Sequence, residues 1–379
     1  MARRLLAIAL SALLALAAAW TAFWCLCDAR IEVPAPAALR IRAHRAGGSR
    51  VMFLGDFAPA DAAVPYLERF GFDYPFALTA TRLAAYDAVV ANLESPITGS
   101  DAKWPLPKEY SYKIDPAAAP AIARAGIRVV TLANNHSHDY GGRGLADTIE
   151  ALDRVGIAHI GADLTEAKAR RGVVLETAGG RLGLLSYLED KISWRLWTLS
   201  YALDLPFHSW PGSACALEGD MREDIARLRA RADVVAVVLH FGENYEPVTA
   251  RQVELARTAI DLGADAVIGH HSHQAQPVGS YRGRPIVYSL GNYAWGAIGW
   301  PRMRFGMGAA LSLEGGRVRG VELLPLLVQN RVVRYQPRVP TGRDLDAFFD
   351  EIVGGSRKLG VHVERRGDIG WIPVPDALE

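Results

Sequence analysis

Three imidazoles crowd into four positions at the end of Val267-Ile268-Gly269-His270-His271-Ser272-His273, where a β-branched run breaks at a glycine. Imidazoles this close repel one another once protonated, and in a buried loop every ring nitrogen needs a partner. A divalent metal removes both difficulties, because neutral imidazole is its usual nitrogen ligand. One His after a strand is an ordinary structural residue. Three together raise the question of where further ligands come from.

Five apolar runs end in a group able to bind a metal. Val51 to Leu54 leads to Asp56, Ala88 to Leu93 to Glu94, and Ile127 to Leu132 to Asn135 and His136. Val234 to Leu239 leads to His240, and the fifth run to His271 and His273. In α/β sheets, ligand sites form at the carboxyl ends of strands, where loops from distant positions converge. Alone, Asp56 or Asn135 reads as a cap or turn residue. Five such endings in strand order read as one site. Oxygen ligands mixed with imidazoles suit Mn, Fe or Zn better than Ca or Mg. Glu94 is placed to bridge two ions about 4 Å apart, as two-metal hydrolases require.

Between these runs lie segments of helical spacing, at 61 to 88, 117 to 125, 145 to 155, 220 to 231 and 251 to 262. Turn pairs at Gly179-Gly180, Arg282-Gly283 and Gly315-Gly316 predict hairpins. The polar, proline-bearing stretch 99 to 116 reads as a surface loop or lid. Trp194, Trp197, Tyr201, Phe207 and Trp210 read as satellite core, and residues 340 to 379 as a weakly patterned tail. Strands alternating with helices, then hairpins, predict an α/β or mixed sheet with helices on its outer faces.

A net charge of +1 points away from nucleic-acid partners. Three cysteines, two of them in the apolar amino end, make no disulfide framework. Arg3-Arg4 precedes an uncharged run from Leu5 to Cys27, with Asp28 just beyond. That pattern predicts a single membrane span, an inside amino end and a body outside the cytoplasm. The competing reading is a signal peptide cleaved at Ala17-Ala18-Ala19. The expected organisation is an anchor at 1–27, a linker at 28–49, one domain at 50–330 and an extension at 331–379.

The motifs Gly55-Asp56, Asn92-Leu93-Glu94, Asn134-Asn135-His136 with Asp139, His240-Phe241-Gly242 with Tyr245, Gly269 to His273, and Tyr288-Ser289-Leu290-Gly291-Asn292 occur in one order. In these the chain resembles the CapA family of poly-γ-glutamate capsule synthesis proteins, whose domain is similar to calcineurin-like metallophosphoesterases. The resemblance implies layered β-sheets flanked by helices. It implies Asp56 and His273 on a first metal, Glu94 as the bridge, and Asn135, His240 and His271 on a second. His136 would be the unligated acid. The phosphoesterase pattern has a His two residues after the first Asp, and here that position is Ala58, which leaves the first metal fewer ligands. His138 and His270 are extra imidazoles expected outside the ligand set, although His270 could replace His271.

Three functions are expected in competition. The first is a membrane-anchored protein in synthesis or export of an anionic surface polymer, poly-γ-glutamate or similar, working with capsule-synthesis membrane partners. The second is a cell-envelope metal-dependent hydrolase cutting a phosphoester or an amide. The third is a scaffold subunit with a vestigial metal site.

Overall fold

The computed structural model describes residues 32–42, 47–104, 108–189, 212–296 and 303–375. The predicted span at 1–27 and the aromatics from Trp194 to Trp210 lie outside the described residues. No helix among the described residues is long and apolar enough to cross a membrane. The chain divides into two units, Met1–Pro34 and Ala35–Glu379, and every strand and helix among the described residues belongs to the second.

From its amino end come β1 (Ala37–Arg40), β2 (Gly48–Ala58), β3 (Ala88–Leu93), β4 (Ile127–Thr131) and β5 (Ala158–Ile160). A two-residue pair, β6 (Ala162–Asp163) with β9 (Gly212–Ser213), brackets the hairpin of β7 (Val173–Thr177) and β8 (Gly180–Leu188). Then follow β10 (Val234–His240), β11 (Ala266–His270), β12 (Val278–Tyr281), β13 (Arg284–Val287) and β14 (Asn292–Trp295). The last are β15 (Phe305–Glu314), β16 (Arg317–Leu327), β17 (Glu364–Arg366) and β18 (Ile369–Pro373).

They form two large mixed sheets. One runs β1-β7-β8-β10-β11-β13-β12, the other β17-β18-β16-β15-β2-β3-β4-β5, with β14 paired to the end of β2. Side-chain alternation assigns the layers. Val51 and Phe53 face Leu184, Ala236 and Ile268 of the other sheet, while Met52 and Leu54 face outward with Leu145 and Leu152 of helix Gly141–Arg154. Val235 and Val237 pack on Ile225 and Leu255, from helices Glu218–Arg229 and Ala250–Asp261. Two sheets face each other and helices cover both backs. Because β10 is covered on both faces, its sequence is a continuous apolar run rather than an alternating one.

Two segments join this core from outside the expected pattern. Ala37–Arg40, within the stretch read as a linker, pairs in parallel with β7. Helix Gly342–Lys358 buries Phe348, Phe349 and Ile352 between the sheets, and β18 extends the second sheet beside β16.

Parallel strands set the site. β2, β3 and β4 are parallel neighbours, as are β10 and β11, so their carboxyl ends form one rim in each sheet. Glycines let the 288–292 segment run close against both rims. A Cβ on Gly55 would lie 2.0 Å from the Gly291 carbonyl oxygen, and one on Gly269 1.9 Å from that of Tyr288. Backbone cannot yield as a flexible side chain can. Gly55→Ala is expected to cost about 3 kcal/mol, the upper end for overpacking, and denaturant titration measures the loss.

Candidate metal centre

Asp56 lies near the end of β2 opposite Asn92 of β3, and Glu94 follows β3. His240 ends β10 opposite His270 of β11. Beyond β11 the backbone turns sharply, with His271 at φ 95 and His273 at φ 57. Non-glycine residues held there cost about 1–3 kcal/mol each, and such strain clusters at functional sites.

The geometry brings together six of the seven side chains singled out from sequence, and places the seventh beside them. Two buried triads could each hold an ion, Glu94 with His240 and His271, and Asp56 with Glu94 and His273, the atoms of each within 4.8 Å of one another. Glu94 belongs to both. Around the first of these groups, His240 Nε2 lies 2.8 Å from Asn135 Oδ1, 3.1 Å from His271 Nδ1 and 3.4 Å from Glu94 Oε1. Around the second, His273 Nδ1 lies 3.2 Å from Asp56 Oδ2. His136 joins neither triad. It follows Asn135, and its Nδ1 faces Asp139 Oδ2 at 2.8 Å.

The electrostatics fit a cation. Glu94 Oε1 is fully buried and receives no hydrogen bond, its contact with His240 being too poorly aligned to count as one. Burial and the neighbouring Asp56 push the Glu94 carboxyl well above the usual range. Burial acts the same way on Asp56, but hydrogen bonds from His270 and His273 outweigh it and hold that carboxyl well below. Burial and the charge of His271 push His240 far down, so it is neutral, the form that binds metal. A buried oxygen without a donor, next to the neutral His240 imidazole, suits a cation.

Other residues take up their contacts with the centre only in three dimensions. Asn92 Nδ2 donates to Asp56 Oδ1 at 2.9 Å and Glu94 Oε2 at 3.3 Å, tying the two carboxylates together. Its Oδ1 accepts from Thr131 and Asn134 at 3.1 and 3.2 Å. Lys108, from the polar 99–116 stretch, bonds Asp139 and reaches 3.1 Å from His136 Nδ1. Ala58 packs with Tyr112, Trp295 and Met303, so an aromatic wall stands where the phosphoesterase pattern has a His. Asn92 and Asn292 had a signal, their place in the motifs; Lys108 and Tyr112 had none. His270 belongs to neither triad, its Nδ1 lying 3.1 Å from Asp56 Oδ1, and His138 is outside both triads as well. Arg304 pairs with Asp344.

Residues 50–296 match the family model described as bacterial capsule synthesis protein PGA_cap. A capsule biosynthesis protein CapA of Bacillus anthracis is 28% identical over 294 residues, 76% of this chain and 69% of the relative. A probable polyglutamine synthesis accessory protein of Mycobacterium tuberculosis is 29% identical over 313 residues, 79% and 80% of the two chains. A PGA biosynthesis protein CapA of Bacillus subtilis is 28% identical over 254 residues, 66% and 64%.

Proposed function

The chain belongs to the bacterial capsule synthesis protein PGA_cap family, and from that premise we propose that it is a membrane-anchored protein acting in synthesis or export of an anionic surface polymer, poly-γ-glutamate or a close analogue, through a dinuclear metal site. The sharing of Glu94 by two buried triads carries this reading. Asp56, Glu94 and His273 would hold the first ion; Glu94, Asn135, His240 and His271 would hold the second. Two such ions supply polarisation of a scissile bond and a more acidic water. The protein's own part is to hold the ligands in a dry pocket and to place His136 beside Asn135. The fold is read as metallophosphoesterase-like, and the apolar run from Leu5 to Cys27 as the anchor that keeps the domain outside the cytoplasm. Protease accessibility in intact spheroplasts tests that placement.

A hydrolytic reading draws support from the His136–Asp139 pair, since a site that only bound metal has no use for an oriented imidazole beside a ligand. A scaffold whose site is vestigial makes the opposite prediction about metal.

Metal titration of the purified full chain in detergent separates these. Close to two Mn, Fe or Zn ions are expected per chain. The second site offers four protein groups and the first three, because Ala58 cannot ligate. Binding is therefore expected in two steps, with affinities at least about tenfold apart, the scale on which one lost contact to a metal site acts. Uptake of no ion by the wild type would refute the dinuclear reading in favour of the scaffold.

A further inference from the structure

Glu94 belongs to both triads, yet its two oxygens stand in different surroundings. Oε1 lies 3.4 Å from His240 Nε2 with no aligned donor, whereas Oε2 lies 3.3 Å from Asn92 Nδ2. The same nitrogen is 2.9 Å from Asp56 Oδ1 and 3.3 Å from His240 Nδ1, so one amide touches residues of both triads. Whether it can hold the carboxylates depends on which of its ends is the NH2, and partners decide that.

Asn134 supplies the answer from the backbone side. Its side chain is buried between two main-chain groups whose polarity is fixed. Oδ1 accepts the His136 N–H at 3.1 Å, and Nδ2 donates to the Leu93 carbonyl at 2.9 Å. Turned over, the amide would set an NH2 against that N–H and an oxygen against that carbonyl. Asn134 Nδ2 is therefore the donor that meets Asn92 at 3.2 Å, and the Asn92 atom it meets is the oxygen. Thr131 Oγ1 lies 3.1 Å from the same oxygen, but a hydroxyl donates or accepts and so follows the amide. The Asn92 NH2 then faces Asp56 and Glu94, with one hydrogen for each carboxylate. No step of this assignment uses the charge of either acid, or a metal.

We infer that Asn134 and Asn92 form a positioning relay. Two backbone groups orient Asn134, and Asn134 orients Asn92. The Asn92 NH2 holds Asp56 Oδ1 and Glu94 Oε2 at a fixed spacing, which leaves Glu94 Oε1 turned to His240. Hydrogen bonds behind the ligands of a metal fix their orientation in this way. The relay also joins two pieces of chain that each carry a ligand, since Leu93 precedes Glu94 and His136 follows Asn135. Its role toward metal rests on the dinuclear reading; the amide orientation does not.

The experiment uses the full chain in detergent, as wild type, Asn92→Leu, Asn134→Leu, the double variant and Thr131→Val. Leucine keeps the branched shape of asparagine and offers no donor. In metal titration Asn92→Leu should weaken both sites about 10- to 100-fold, the usual cost of losing such a partner, because Glu94 serves both. Asn134→Leu should weaken both as well. The double variant should lose less than the two single losses combined, as residues in one network do. Thr131→Val should bind like wild type, since Asn134 alone still orients the amide. Unfolding in EDTA, measured beside the titration, separates positioning from packing. Lower stability with unchanged affinity in the folded protein would mark a structural asparagine and overturn the inference, as would weakening of one site alone or strictly additive losses. Neutron diffraction from deuterated, metal-free wild-type crystals tells the amide nitrogen from its oxygen directly. An Asn92 oxygen against Asp56 overturns the inference even if every variant binds poorly. If the wild type takes up no ion, the dinuclear reading falls, and the neutron map still decides whether Asn92 holds the two carboxylates.

Discussion

Replacing Glu94 by Gln should strip both ions from the protein and yet leave the metal-free domain more stable than wild type at neutral pH. Both effects have one cause. Glu94 Oε1 has no hydrogen bond in a fully buried pocket, and burial plus the Asp56 charge push the carboxyl well above its ordinary range. A group whose folded pKa is raised binds its proton more tightly folded than unfolded. Its ionisation therefore removes stability as pH rises from about 4.5, the ordinary value, toward the folded one. Glutamine carries no such penalty and keeps an oxygen for Asn92. The gap between variant and wild type should be absent in acid and open as pH climbs. Metal inverts the order. With an ion at a thousand times its Kd, the wild type gains about 4 kcal/mol by mass action, and the variant, lacking the bridge, gains nothing. Thermal unfolding in EDTA and in Mn(II), at two pH values, reads both effects. Retention of two ions by Glu94→Gln, or lower stability than wild type in EDTA at every pH, would contradict the bridging role.

The positions that meet at the candidate centre were legible because a strand buried on both faces is apolar throughout, so a terminal Asp, Glu or His stands out against it. Val234 to His240 is the plainest case, with all seven residues buried. Hairpins at 179–180, 282–283 and 315–316 were legible from glycine pairs and turn residues, and the strands flanking each pair are antiparallel. Pairing between distant segments was not. Trp295 stands beside Ala58 only because β14 adds in parallel to the end of β2, a register that neither segment encodes alone. Lys108 reaches His136 from a polar loop with no periodicity. β1 has half-exposed alternation and only four residues, and β17 is exposed throughout and held by backbone pairing to β18. The helix Gly342–Lys358 did leave a trace: Leu345, Phe348, Phe349 and Ile352 recur at helical spacing, but in a stretch short of other punctuation.

His136→Ala should divide the hydrolytic reading from the scaffold one. His136 lies outside both triads, so metal content is expected to stay at the wild-type level. Turnover of a generic phosphodiester or γ-glutamyl amide should fall about 10²- to 10⁴-fold, the usual contribution of a positioned acid or base. Asp139→Asn should show much of the same loss, because Asp139 Oδ2 receives His136 Nδ1 at 2.8 Å and fixes the ring. The pH profile carries the sign. Burial first, and then the Lys108 ammonium, push His136 down to about 4. Acting as a charged acid, it is protonated only below that value, so turnover should decline as pH rises above about 4. Lys108→Met removes the opposing charge and should move that limb to higher pH with metal content unchanged. A His136→Ala protein that keeps its rate, together with an unmoved limb in Lys108→Met, would remove His136 from the chemistry and leave the centre as a binding site for metal and polymer.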